Sequence, residues 1–133
     1  MLYLDASALV KRYIEEEGSD ELLRTMDSAS AWSSCRICFV ETVRAVARAG
    51  GSRSIKRVES DWLAFGVVEV DRELAEQAAH LAVSTKLRAL DALHLAAALA
   101  LPRQDLSFAT WDTRLHKAAR DQGLQTLPTV LDY

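Results

Sequence analysis

Cysteine is nearly missing from this chain, with only Cys35 and Cys38 among 133 residues. That is too few for a secreted scaffold stapled by disulfides. Long apolar runs are missing as well. No window approaches the roughly 18 apolar residues of a membrane-spanning helix. The start, MLYLDASALV, is broken by Asp5 and carries no basic leader. These absences predict a soluble, cytoplasmic protein without membrane contact. A large charge of either sign is the third absence, since the formal net charge is −3. No global basic field advertises nucleic acid and no acidic excess suggests disorder, so an anionic partner must be held locally. Repeats, linkers and low-complexity tracts are absent too.

What is present is apolar patterning. Hydrophobic residues make up 50% of the chain, enough for one sizeable core, so residues 1–133 read as a single domain. Leu2 to Leu4 reads as a short buried strand, followed from Asp5 by a helix with Leu9, Val10, Tyr13 and Ile14 on one stripe. Ser19-Asp20 caps a second helix running to about Met26. Trp32 to Cys35 reads as a strand. A helical stripe through Phe39, Val43 and Val46 follows and ends at Gly50-Gly51. Ser52 restarts a helix through Val58 and Trp62, and Val67 to Val70 reads as a third strand. Asp71 caps an Ala-rich helix, and Leu90 to Leu101 forms another before Pro102. Ser107 to Thr110 reads as a fourth strand, Asp112 opens a helix that ends at Gly123, and a last strand lies near Gln125 to Leu127. Strands alternating with helices predict an α/β fold. The expected form is a three-layer α/β/α domain with a short, mostly parallel sheet of four to five strands flanked by helices. Such sheets place chemistry beyond the carboxyl ends of the strands.

Four acids fall at such places. Asp5 follows the first strand, Asp112 follows the fourth in SFATWDTRL, Asp91 opens the helix of LRALDALHLAAA, and Glu41 lies in the first turns of CFVETVRA. Gathered in one cleft they would repel one another strongly unless a cation lay between them. Oxygen-only ligands favour Mg²⁺ or Mn²⁺ over zinc, and water held there could be activated for attack on a phosphodiester. The plainer account makes each Asp a helix cap and Glu41 a solvated helix residue.

At this point the chain resembles a known family, the PIN-domain ribonucleases, and especially the VapC toxins of toxin-antitoxin pairs. The resemblance rests on LYLDASALVKRY, ETVRA, LRALDALHLAAA and FATWDTRLHKAA with the following Gly123, in family order and spacing. It implies a PIN-like fold. It also implies that Asp5, Glu41, Asp91 and Asp112 form the catalytic cluster binding Mg²⁺ or Mn²⁺ for RNA cleavage. Ser7 and Thr110 match hydroxyl positions that orient those acids. Expected partners are a cognate VapB-type antitoxin, a second copy in a homodimer, and structured RNA such as transfer or ribosomal RNA.

Other features read more plainly. CRIC has redox or half-zinc spacing but no second pair, so Cys35 and Cys38 read as core thiols. His94, three residues after Asp91, reads as a packing histidine, with an approach to the metal as the alternative. Glu15, Glu16 and Glu17 read as a solvated helix end, and Trp32, Trp62 and Trp111 as core or rim residues. Lys11, Arg12, Arg44, Arg88 and Arg114 are candidate holders of an RNA backbone. For Arg44 a salt bridge to Glu41 competes equally. Two rival functions remain. An aspartyl-phosphate phosphatase would use Asp5 as nucleophile but wants a second acid where Ser7 stands, and a non-catalytic, metal-stabilised binding module would need no such crowding of acids.

Overall fold

The computed structural model describes residues 1–133. Five short strands form a sheet in the order β3-β2-β1-β4-β5: β1 (Leu2–Leu4), β2 (Trp32–Cys35), β3 (Gly66–Val68), β4 (Ser107–Ala109) and β5 (Gln125–Leu127). Every adjacent pair is parallel, so the mostly parallel sheet expected is wholly parallel. Seven helices flank it: α1 (Ala6–Leu9, tightening into a 3-10 turn over Val10–Arg12), α2 (Ser19–Ser28), α3 (Arg36–Arg48), α4 (Ser52–Trp62), α5 (Arg72–Thr85), α6 (Ala89–Leu99) and α7 (Thr113–Asp121). The longest is 14 residues, and no helix is long and apolar enough to cross a membrane.

The three layers follow from the two-residue period of a strand buried on both faces. Along β1, Leu2 and Leu4 enter one core with Leu9, Leu22, Met26, Cys38, Trp62 and Phe65. Tyr3 enters the opposite core with Phe108, Leu95, Leu115 and the small residues Ala92, Ala96 and Ala97 of α6. In register, Tyr3 and Phe108 pair across β1 and β4 and their rings stack at 5.2 Å. Alanines on α6 let that helix lie close to this aromatic layer. The two cysteines divide between the two cores, both unbonded and fully buried. Burial pushes the Cys38 thiol up to about 12, so it stays an inert, uncharged apolar group.

Several boundaries differ from those the sequence predicts: β4 ends at Ala109, α2 is capped by Gly18 rather than Ser19-Asp20 and runs to Ser28, α6 ends at Leu99, and two further differences have a visible cause. β3 stops at Val68 rather than Val70, because it pairs only with β2, whose last partner is Cys35 opposite Val68. Beyond that point α3 has begun, and Glu69 instead grips the guanidinium of Arg36 at 2.6 and 2.9 Å. The first helix is also shorter than its apolar stripe suggests. Lys11 turns inward, 8% exposed, and donates to Glu16 and to the Glu17 carbonyl, closing the segment from Tyr13 to Gly18 as a loop. Glu15, Glu16 and Glu17 are therefore exposed loop residues, not a helix end.

Gly18 ends this loop with a φ of +91°, and a Cβ there would lie 2.8 Å from the indole of Trp111. Both backbone and space demand glycine. Gly18→Ala is expected to cost about 1–3 kcal/mol, the scale of an overpacked or strained site, and to alter Trp111 fluorescence; an unchanged denaturation midpoint would contradict this packing.

Candidate active site

The sheet order reverses beside β1, where β2 lies on one side and β4, reached after three strands, on the other. A crevice opens beyond the carboxyl ends at such a point. Asp5 leaves β1 there and caps α1, accepting from the Ala8 N–H at 2.9 Å through Oδ1. Asp112 follows β4 and caps α7, accepting from the Leu115 N–H at 3.0 Å. For these two acids the capping account is correct, but it does not exhaust their surroundings.

Asp5 is only 3% exposed. The Ser7 hydroxyl donates to its Oδ1 at 2.7 Å and the Thr110 hydroxyl to its Oδ2 at 2.6 Å. The same hydroxyl oxygens accept from the Trp111 and Asp112 backbone N–H groups at 2.9 and 3.1 Å. Each hydroxyl owns one proton and gives it to the carboxylate, so each is a donor toward Asp5 and an acceptor toward the turn after β4. Ser7 and Thr110 thus tie two distant strand ends into one rigid corner. Burial raises the Asp5 carboxyl above its usual range, and the hydrogen bonds partly offset that rise.

Glu41 reaches the crevice from the second turn of α3, where Oε1 lies 2.7 Å from His94 Nε2. His94 in turn lies 2.8 Å from the Tyr3 hydroxyl through Nδ1, and is 1% exposed. Burial holds the Tyr3 phenol well above its ordinary value, so it stays protonated beside Nδ1. The imidazole then donates from Nε2 to the Glu41 carboxylate. His94 is a packing residue, as its sequence context suggests, and it also fixes Glu41. Sequence reading misses the second role, because the partners Tyr3 and Glu41 lie 91 and 53 residues away. The one available signal is the i, i+3 spacing of Asp91 and His94 on one helix face.

Asp91 stands in the first turn of α6, whose cap is Arg88, so it caps nothing. Its carboxyl is pushed from 3.8 up to about 6, first by burial and then by the charges of Asp112, Asp5 and Glu41, with His94 opposing. Asp91 therefore lies within electrostatic reach of the other three carboxylates. No lysine or arginine forms a salt bridge with any of them, and Glu41 has only the histidine. All their donors are hard oxygens, and Asp91 has neither oxygen engaged by the protein. As the side chains stand, however, no three of them converge tightly enough to enclose an ion.

The candidate cations separate into two groups. Lys11 is turned inward onto Glu16 and lies 5.0 Å from the Trp111 ring centre. Arg12 is spent on Asp61 at 2.9 Å, which also accepts from the Tyr13 hydroxyl. Arg44, Arg88 and Arg114 form no ion pairs, so the Arg44–Glu41 bridge does not form. Beside the acids, a cleft of about 660 Å³ is lined by Ser7, Glu41, Arg44, Val40, Leu90 and Trp111, among others. Trp111 is half-buried on this rim, and Trp62 lies in the core.

Thr110→Val keeps the shape but strands Asp5 Oδ2 and the Asp112 N–H. A loss of about 1–3 kcal/mol is expected from chemical denaturation, and unaltered stability would show that the corner does not depend on this hydroxyl. The Asp91 shift carries a pH signature. Between about pH 4 and about 6 the folded chain keeps a proton that the unfolded chain has lost, so without divalent metal stability falls as pH rises through this window. At about pH 7.5 Asp91→Asn is expected to melt higher, by about 3–5 °C after allowing for solvent screening. A lower melting temperature than wild type in chelator would contradict the repulsion.

A family model described as PIN domain matches residues 2–121. The chain is 36% identical to Ribonuclease VapC49 of Mycobacterium tuberculosis (strain ATCC 25618 / H37Rv), over 99% of this chain and 98% of that protein. Among solved structures it resembles a toxin-antitoxin complex from Klebsiella pneumoniae, with a TM-score of 0.68 and 18% identity over 85% of this chain and 88% of that one. It also resembles VapC20 of Mycobacterium tuberculosis, described as a Sarcin-Ricin loop cleaving toxin. There the TM-score is 0.65 at 17% identity, covering 94% of this chain and 85% of that one.

Proposed function

The chain belongs to the PIN-domain family, and from that premise we propose that it is a metal-dependent endoribonuclease, the toxin of a type II toxin-antitoxin pair. The observation that carries this reading is the set of four carboxylates at one sheet edge, with Asp91 pushed up by the charges of the other three and no lysine or arginine in a salt bridge with any of them. A polyanionic substrate could not approach such a crevice unaided. The all-oxygen donor set fits a hard divalent ion such as Mg²⁺ or Mn²⁺, which keeps waters of its own and needs few protein ligands. Asp91, Asp112 and Glu41, each with an oxygen free of protein hydrogen bonds, would hold it, with Asp5 beside them as the fixed corner. When bound, the ion supplies charge neutralisation and an activated water for phosphodiester hydrolysis.

The chain's own residues perform the orientation. Ser7 and Thr110 hold the Asp5 carboxyl in place, and His94 donates to one oxygen of Glu41 and leaves the other without a protein partner. A phosphatase that used Asp5 as nucleophile is disfavoured. Both of its oxygens are engaged and it is 3% exposed, whereas a nucleophile must reach its substrate.

We extend the reading to partners by similarity. The proposed partners are a cognate VapB-type antitoxin that closes the cleft, in line with the Klebsiella toxin-antitoxin complex, and structured RNA, transfer or ribosomal, as substrate, in line for the ribosomal case with the Sarcin-Ricin loop cleaving toxin VapC20.

Purified protein is expected to cut total RNA in Mg²⁺ or Mn²⁺ and to stop in chelator. Asp91→Asn and Asp5→Asn should lower cleavage at least about 100-fold while remaining folded. Full cleavage by either variant, or in chelator, would reject the reading. His94→Gln should weaken metal affinity or activity about 10- to 100-fold, the usual scale for a group that orients a ligand.

A further inference from the structure

A second concavity lies away from the acids' own cleft. It is a groove of about 620 Å³ between the turn joining α5 to α6 and one face of α7. Its charged lining is Lys86 from the turn and Arg114, Lys117 and Asp121 from the helix. Arg114 lies two residues beyond Asp112 and Lys86 five before Asp91, so the chain segments that line this groove lead directly to two of the four acids. Arg114, Lys117 and Asp121 recur at helical spacing on one face of α7, rising about 1.5 Å per residue away from the acidic crevice.

Lys86 is out of place for a purely structural residue. It ends α5 with a φ of 62°, the left-handed conformation that glycine adopts freely and a lysine does not. Nothing in the turn needs its side chain. The Thr85 hydroxyl donates to the Leu81 carbonyl and accepts from the Leu87 N–H, and Leu87 anchors the turn in the core. The amine of Lys86 is exposed and unpaired, as is the guanidinium of Arg114. Lys117 meets only Asp121, at 2.7 Å, with both side chains about 60% exposed. Such a pair is weak and readily exchanged for a stronger anion.

We propose that this groove binds the phosphodiester backbone of a single RNA strand as it leaves the acidic centre, with Lys86, Arg114 and Lys117 contacting its phosphates. The proposal rests on the ribonuclease reading above. In a chain of net charge −3, the affinity for a polyanion must come from a local row of cations, and this row lies on the chain segments next to Asp91 and Asp112. The three cations are strung along an open groove rather than aimed at one point, which suits successive phosphates better than one small anion. Displacement of Asp121 from Lys117 by a phosphate completes the row.

Fluorescence anisotropy with a labelled single-stranded RNA of about 12 nucleotides, in EDTA to prevent cleavage and over a range of salt, tests this directly. Wild type is compared with Lys86→Gly, Lys117→Gln and the double variant. Glycine suits the backbone at position 86, so folding is retained, and circular dichroism checks it. Each change is expected to lower the slope of log affinity against log salt by about 0.7, and the double variant to lose affinity about tenfold. Inorganic phosphate at equal total phosphate is expected to compete poorly; equal competition would mark a small-anion site and overturn the proposal. An unchanged slope and affinity in the double variant, with wild type still binding RNA, would overturn the groove and leave the ribonuclease reading standing. Wild type that neither binds nor cuts RNA would overturn both.

Discussion

Repulsion among carboxylates held at one edge of a sheet is the constraint to which the site answers. Burial and three neighbouring charges lift Asp91 to about 6, and burial raises Asp5 against the pull of its own hydrogen bonds. Left to themselves, side chains under such strain would swing outward into water. The chain holds them with short bonds, from the neutral Ser7 and Thr110 hydroxyls and helix N–H groups on Asp5 and Asp112 and from His94 on Glu41. Neutral donors fix position without cancelling charge. That leaves a negative potential available to something that comes from outside.

The fold supplies the frame for this. β1 is central, so the corner after Leu4 can face the corner after Ala109 across one strand spacing, and two hydroxyls span the gap. Its odd-facing residue, Tyr3, serves both the aromatic core with Phe108 and the hydrogen bond to His94. Core packing and site geometry are therefore one network. A cavity made at Tyr3 or Phe108 would reach the acids through that network.

Much of this was legible in the chain. The capping carboxylates Asp5, Asp71 and Asp112 mark their helices, and all three side chains do accept from the third residue onward. What stayed hidden depends on residues remote in sequence. The end of β3 depends on where β2 runs out of partners, the need for glycine at position 18 on an indole at position 111, and the inward turn of Lys11 on a loop that only the fold closes. Lys11 and Arg12 read as free cations in a string of letters, and in three dimensions they are spent on Glu16 and Asp61. Local patterning carries capping and amphipathic stripes; it carries no record of which side chain a distant turn will bring alongside.

The central claim is that these four acids are gathered for a divalent cation. Anomalous scattering from crystals grown with Mn²⁺ measures it most directly. The account predicts a single strong peak, or two adjacent ones, bounded by Asp5, Glu41, Asp91 and Asp112 and lost in Asp91→Asn. Manganese bound elsewhere, or acids turned out to solvent with no peak between them, would contradict it.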